Sequence, residues 1–104
     1  MYEDVAKRIT DTLIGVTTPH GTTIQSFATH FIDRVIGQTS TSHAGMRQGV
    51  NILDVKDALE NPVRESAVEY FAGGDIRQTL YGKKVAVSYS IRDKRLIQTN
   101  PKKE

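Results

Sequence analysis

The chain contains no cysteine. That excludes disulfides, thiolate nucleophiles and the common zinc sites built on Cys. No apolar run reaches transmembrane length. The opening residues Met1-Tyr2-Glu3-Asp4 are acidic where a signal peptide is basic, and no apolar h-region follows. The glycine signatures of phosphate loops and dinucleotide sites are missing, as is a nucleophile elbow. His20, His30 and His43 are far apart and no acidic cluster joins them, so no metal site is expected. There is no repeat and no low-complexity tract.

What remains is a 104-residue chain, sized for one domain over residues 1–104. Apolar residues are 38% and charged residues 25%, a composition that folds. Residues 1–73 carry six Lys/Arg against nine Asp/Glu, a net of −3. Residues 74–104 carry eight against three, a net of +5. A basic end suits a polyanion such as RNA or DNA. On charge alone a solvated basic tail is the simpler account.

Hydrophobic spacing predicts a helix from about Glu3 to Ile14, on Val5, Ile9 and Leu13. Thr17 to Gly21 reads as a loop. A second helix is predicted from a Thr22 or Thr23 cap through Ile24, Phe27, Phe31, Ile32 and Val35 to Gly37. Residues 38–48 read as a hydroxyl-rich loop. Asn51 should cap a third helix that ends at Asn61-Pro62. Strands are expected at Val63–Phe71, Ile76–Tyr81, Lys84–Ile91 and Arg95–Asn100, with a turn at Gly73-Gly74-Asp75. The expected class is α+β, with helices packed on one face of a twisted antiparallel sheet of about four strands.

His30 and Arg34 are i, i+4 neighbours on the second helix, off its apolar stripe. Imidazole changes charge near neutral pH and guanidinium grips phosphate, so the pair suits phosphodiester cleavage. His43 and Arg47 repeat the spacing in the loop. Taken alone, each is as simply an exposed surface residue. Strand residues Thr79, Tyr81, Ser88, Ser90 and Thr99 can donate to phosphate or base, and Thr and Tyr are also ordinary strand formers. Thr99 stands out because strict alternation puts it on the face of apolar Ile97. Lys84 adds a cation at the start of the best strand. Asp54, Asp57 and Glu60 read as a solvated helix face.

Several segments in order carry a resemblance: His30-Phe-Ile-Asp-Arg34-Val-Ile-Gly37, Arg47-Gln-Gly-Val50, Leu59-Glu-Asn-Pro62, Arg77-Gln-Thr-Leu-Tyr81-Gly82 and Leu96-Ile-Gln-Thr99-Asn-Pro101. The chain resembles the C-terminal nuclease domains of bacterial polymorphic and contact-dependent inhibition toxins, in the barnase/EndoU/colicin/RelE-like group. The resemblance implies a metal-independent endoribonuclease without cofactor, often acting on tRNA, and a cognate immunity protein. It implies catalytic roles for His30, Arg34, Arg47, Thr79 and Thr99. His43, Tyr81, Ser88 and Lys84 are expected to bind substrate. It further implies a C-terminal fragment of a larger secreted or surface-delivered protein, acting in the target-cell cytoplasm. The competing expectation is a nucleic-acid-binding or protein-interaction module without catalysis.

Overall fold

The computed structural model describes residues 2–37 and 49–102. Helix α1 (Tyr2–Leu13) buries Ile9 and Leu13 and carries Glu3 and Asp4 in its first turn, where the helix dipole favours acids. Lys7 Nζ meets Asp11 at 2.7 Å, one turn on. The predicted boundary is met within a residue.

Residues 15–24 are where the pattern misleads. They form a small hairpin, with Gly15 N–H donating to Ile24 O, Ile24 N–H to Val16 O and Thr18 N–H to Thr22 O. Its β-branched residues favour extended backbone, and Gly21 at φ +94° makes the turn that side chains resist. Neither Thr22 nor Thr23 caps a helix. The chain then forms β1 (Ser26–Phe27), and helix α2 (Thr29–Ile36) begins only after Ala28, which offers no side-chain cap. Ile24 is still buried, but from an extended segment.

Helix α3 (Ile52–Glu60) follows the sequence reading closely. Asn51 accepts a hydrogen bond from Leu53 N–H at 2.8 Å, and Asp54 lies in the first turn. Ile52, Val55, Ala58 and Leu59 are buried.

The remaining strands are β2 (Arg64–Glu65), β3 (Glu69–Tyr70), β4 (Ile76–Tyr81), β5 (Val85–Ser90) and β6 (Arg95–Pro101). The sheet has six strands in the order β1-β6-β5-β4-β2, with β3 also pairing β4. The class is α+β as expected, but two details are corrected. The sheet is larger than about four strands, and it is mixed, because β1 runs parallel to β6. The single predicted strand Val63–Phe71 is two short ones. Ser66 Oγ accepts from Thr79 N–H at 2.9 Å, taking the place of a backbone acceptor and interrupting the ladder between β2 and β3.

The helices cover one face of the sheet. Phe31, Ile32 and Val35 from α2, and Val55 and Leu59 from α3, share one core with Leu80, Val87, Tyr89 and Leu96. Tyr89 OH donates to Gln78 Oε1 at 3.0 Å, and Gln78 Nε2 donates to Ser66 O at 3.1 Å, so the buried polar pair is satisfied. Among the described residues no helix is long and apolar enough to cross a membrane.

Candidate functional site

Strand alternation sends every second side chain of β4, β5 and β6 away from the helices. Register aligns those side chains into rows. One row is Arg64, Tyr81, Ala86 and Asn100. The next is Thr79, Ser88 and Gln98. The third is Glu69, Arg77, Ser90 and Arg95. Rows lie about 6.6 Å apart, two residues along a strand. This uncovered face is polar, and most of its side chains are partly exposed.

Two arginines lie on aromatic rings here. The Arg64 guanidinium sits 3.9 Å from the Tyr81 ring centroid, and that of Arg77 lies 5.0 Å from the Phe71 centroid. Between the two stacks, Thr79 Oγ1 and Ser88 Oγ share a hydrogen bond of 2.8 Å. One hydroxyl proton is spent in that bond. The other has no acceptor among the described residues and is available to a ligand.

The two ends of the face differ in charge. At the Tyr81 end, Arg64 and the exposed Lys83, Lys84 and Lys102 form no ion pair among the described residues. Lys102 N–H donates to Lys84 O, which continues the β5–β6 pairing past the strand ends. The other end is charge-compensated. Asp75 accepts from Arg77 Nε and Ser90 Oγ, each at 2.7 Å, and from Ile76 N–H at 2.9 Å. The Arg77 hydrogen bond, then that of Ser90, holds the Asp75 carboxyl below its ordinary value, against a smaller opposing cost of burial. Arg92 grips both oxygens of Asp93 at 3.0 and 3.1 Å, and its guanidinium holds the Asp93 carboxyl low as well. Arg92 also donates to Gly73 O, tying the two turns together.

His30 and Arg34 do meet, as their spacing predicts. Arg34 Nε donates to His30 Nε2 at 2.9 Å. That bond occupies the Nε2 lone pair of His30. The pair belongs to α2, on the helix side of the sheet. The register places Thr79, Tyr81 and Ser88 on the opposite side, so the expected convergence of His30 and Arg34 with these strand residues does not occur. Arg47 and His43 lie outside the described residues.

Thr99 is a correction with a clear cause. The β5–β6 register shifts between Ser88 and Tyr89, leaving Ile97 as an extra residue in a bulge. The alternation reverses there, and Thr99 faces the core opposite Val87. It is 1% exposed, and its Oγ1 donates to Ala86 O at 2.7 Å. Its hydroxyl therefore supports the sheet and does not reach a ligand. Lys84 is exposed at the cationic end of the uncovered face.

Sequence reasoning passed over Arg64, Phe71, Gln98 and Asn100. Alternation within β4 already groups Arg77, Thr79 and Tyr81. Arg64 and Phe71 sit in a weakly patterned segment and gain meaning only through pairing to β4. Glu65 was also passed over. Its Oε1 lies 2.7 Å from His20 Nε2, clipping the 15–24 hairpin to β2. No signal in the sequence links those two positions. Among the described residues no group of three His, Asp or Glu side chains could hold a metal ion. No family model, curated protein or solved structure matches the chain.

Proposed function

We propose that this domain is a metal-independent endoribonuclease of the toxin type, and that RNA, with tRNA as the leading substrate, lies on the uncovered sheet face. The observation that carries the reading is the three-row array, with two arginine–aromatic stacks around a donor pair and a cationic margin beside it. Stacking surfaces combined with a backbone-tracking positive edge are what single-stranded nucleic acid needs.

The chemistry would be attack of a ribose 2′-hydroxyl on the adjacent phosphorus, forming a 2′,3′-cyclic phosphate and breaking the bond to the 5′-oxygen of the next nucleotide. The 2′-hydroxyl proton would pass to solvent, and the departing 5′-oxygen would take one from solvent. Arg64 and Arg77 would stabilise the charge that grows on the phosphorane oxygens. The Thr79–Ser88 pair would donate to one of those oxygens and help hold the in-line geometry. Among the described residues, positioning and charge stabilisation are the means at hand on this face, since His20 and His30 are held elsewhere. In this scheme the immunity protein would cover the same face.

The test is incubation with total tRNA in excess chelator. Cleavage is expected, and Arg77→Ala should reduce it by about 100-fold, the cost of removing one transition-state donor. His30→Ala should cleave normally. Loss of cleavage in a folded His30→Ala protein would move the chemistry to the helix side. Intact RNA with wild-type protein would reject the nuclease reading. A second reading, a binding module without catalysis, is favoured by the separation of His30 from the uncovered face. It predicts salt-sensitive RNA binding without cleavage, and no toxicity on expression in a bacterial host.

A further inference from the structure

We infer that the uncovered face holds one splayed dinucleotide step of single-stranded RNA, with a base on each arginine–aromatic stack and the intervening phosphate on the Thr79–Ser88 hydroxyl pair. This rests on the RNA reading above and adds the substrate's conformation and the extent of the site.

The spacing supplies the argument. Arg77 and Tyr81 are on the same strand and the same face. Four residues of strand separate them by about 13 Å, and Thr79 lies midway. Two neighbouring bases stacked in a helix are much closer than that. They reach both platforms only if splayed to either side of their shared phosphate, which is how proteins take up unstacked bases. The phosphate then falls at the centre, where Thr79 and Ser88 keep one hydroxyl proton unspent. A duplex presents its bases to each other and cannot fill both platforms.

Both platforms are accessible. Phe71 is 45% exposed, and its ring meets the Arg77 guanidinium. Arg77 is held from behind by Asp75, so this stack is preorganised. Arg64 is exposed and lies over Tyr81. A planar guanidinium has a second face, and bases stack on it as they do on aromatic rings. Splaying also frees the 2′-hydroxyl to swing in line with the bond to be broken, so the binding geometry and the proposed chemistry require the same posture.

The probes are 2′-O-methyl oligonucleotides of one, two, three and six residues, which lack the attacking hydroxyl, and a six-base-pair RNA duplex. Binding would be measured by fluorescence anisotropy, with 2-aminopurine fluorescence reporting stacking at each position. Affinity should rise steeply from one to two residues and only gradually after that. Both positions of the dinucleotide should be quenched, and the duplex should bind more weakly than the six-residue strand. Phe71→Ala should weaken dinucleotide binding about tenfold and Phe71→Trp should preserve it. Circular dichroism would confirm that each variant is folded. Equal increments per nucleotide with no step at two, or a folded Phe71→Ala protein that binds as wild type, would overturn the inference while leaving RNA binding intact. No binding of any probe or of tRNA would overturn both readings.

Discussion

Replacing Thr99 by Val separates a structural hydroxyl from a catalytic one. The change keeps the branched shape and removes one hydrogen bond. That bond, Thr99 Oγ1 to Ala86 O at 2.7 Å, is buried at a site 1% exposed to solvent. Its net contribution is about 1 kcal/mol, and the Ala86 carbonyl loses an acceptor interaction in the process. For a domain of this size about 1 kcal/mol corresponds to a fall in Tm of about 4–8 °C. The assay is thermal denaturation followed by far-UV circular dichroism, alongside RNA cleavage at 25 °C, normalised to folded protein. Thr99→Ser is the companion. It keeps the donor and loses a methyl, so it should also lose about 1 kcal/mol, through packing. On the ribonuclease reading proposed above, both variants should cleave RNA at the wild-type rate per folded molecule. A Val variant with unchanged Tm and abolished cleavage, rescued by Ser, would refute the core assignment and return Thr99 to the reaction.

Three further outcomes follow from local geometry. Asn51→Ala removes the cap that accepts from Leu53 N–H and should cost about 1 kcal/mol, read as a lowered urea midpoint with unchanged slope. Gly82→Ala would place a methyl 2.6 Å from Ala58 Cβ and 2.9 Å from its Cα, so α3 must shift, and a loss of about 1–3 kcal/mol is expected in the same measurement. Asp75 is held below its ordinary pKa in the folded state. Its contribution is present above the unfolded carboxylate value and is lost as pH falls through the depressed folded one. Asp75→Asn should therefore flatten the acid limb of Tm against pH, and a limb unchanged from wild type would contradict the assignment.

The sequence displayed most clearly those elements whose signals are local. The α3 start is set by one side chain, Asn51, bonding two residues on. From Val85 to Tyr89 the β5 alternation matches burial, because both of its neighbours are long strands. The α2 boundary was hidden because Ile24 and Phe27 fit a helical spacing by position while their backbone is extended. Pairing of Ile24 to Gly15 and Val16, and of Phe27 to Leu96 on β6, reveals that. The sheet face of Thr99 was hidden by a one-residue bulge, which leaves no mark in composition. The His30–Arg34 pair was legible because it is a one-turn contact. The array on the uncovered face was half legible: β4 shows its own alternation, but Arg64 and Phe71 join it through partners distant in sequence.

The neighbouring placement of β1 and β6 carries a kinetic consequence. Ser26 pairs with Arg95, far along the chain, so a chain emerging from a ribosome holds β1 without its partner until β6 has been made. Long-range closure of this kind slows folding. Assembly of the layer therefore waits on the C-terminal strand, and a shortened chain lacking β6 would leave the early helices without the surface they are shaped to cover.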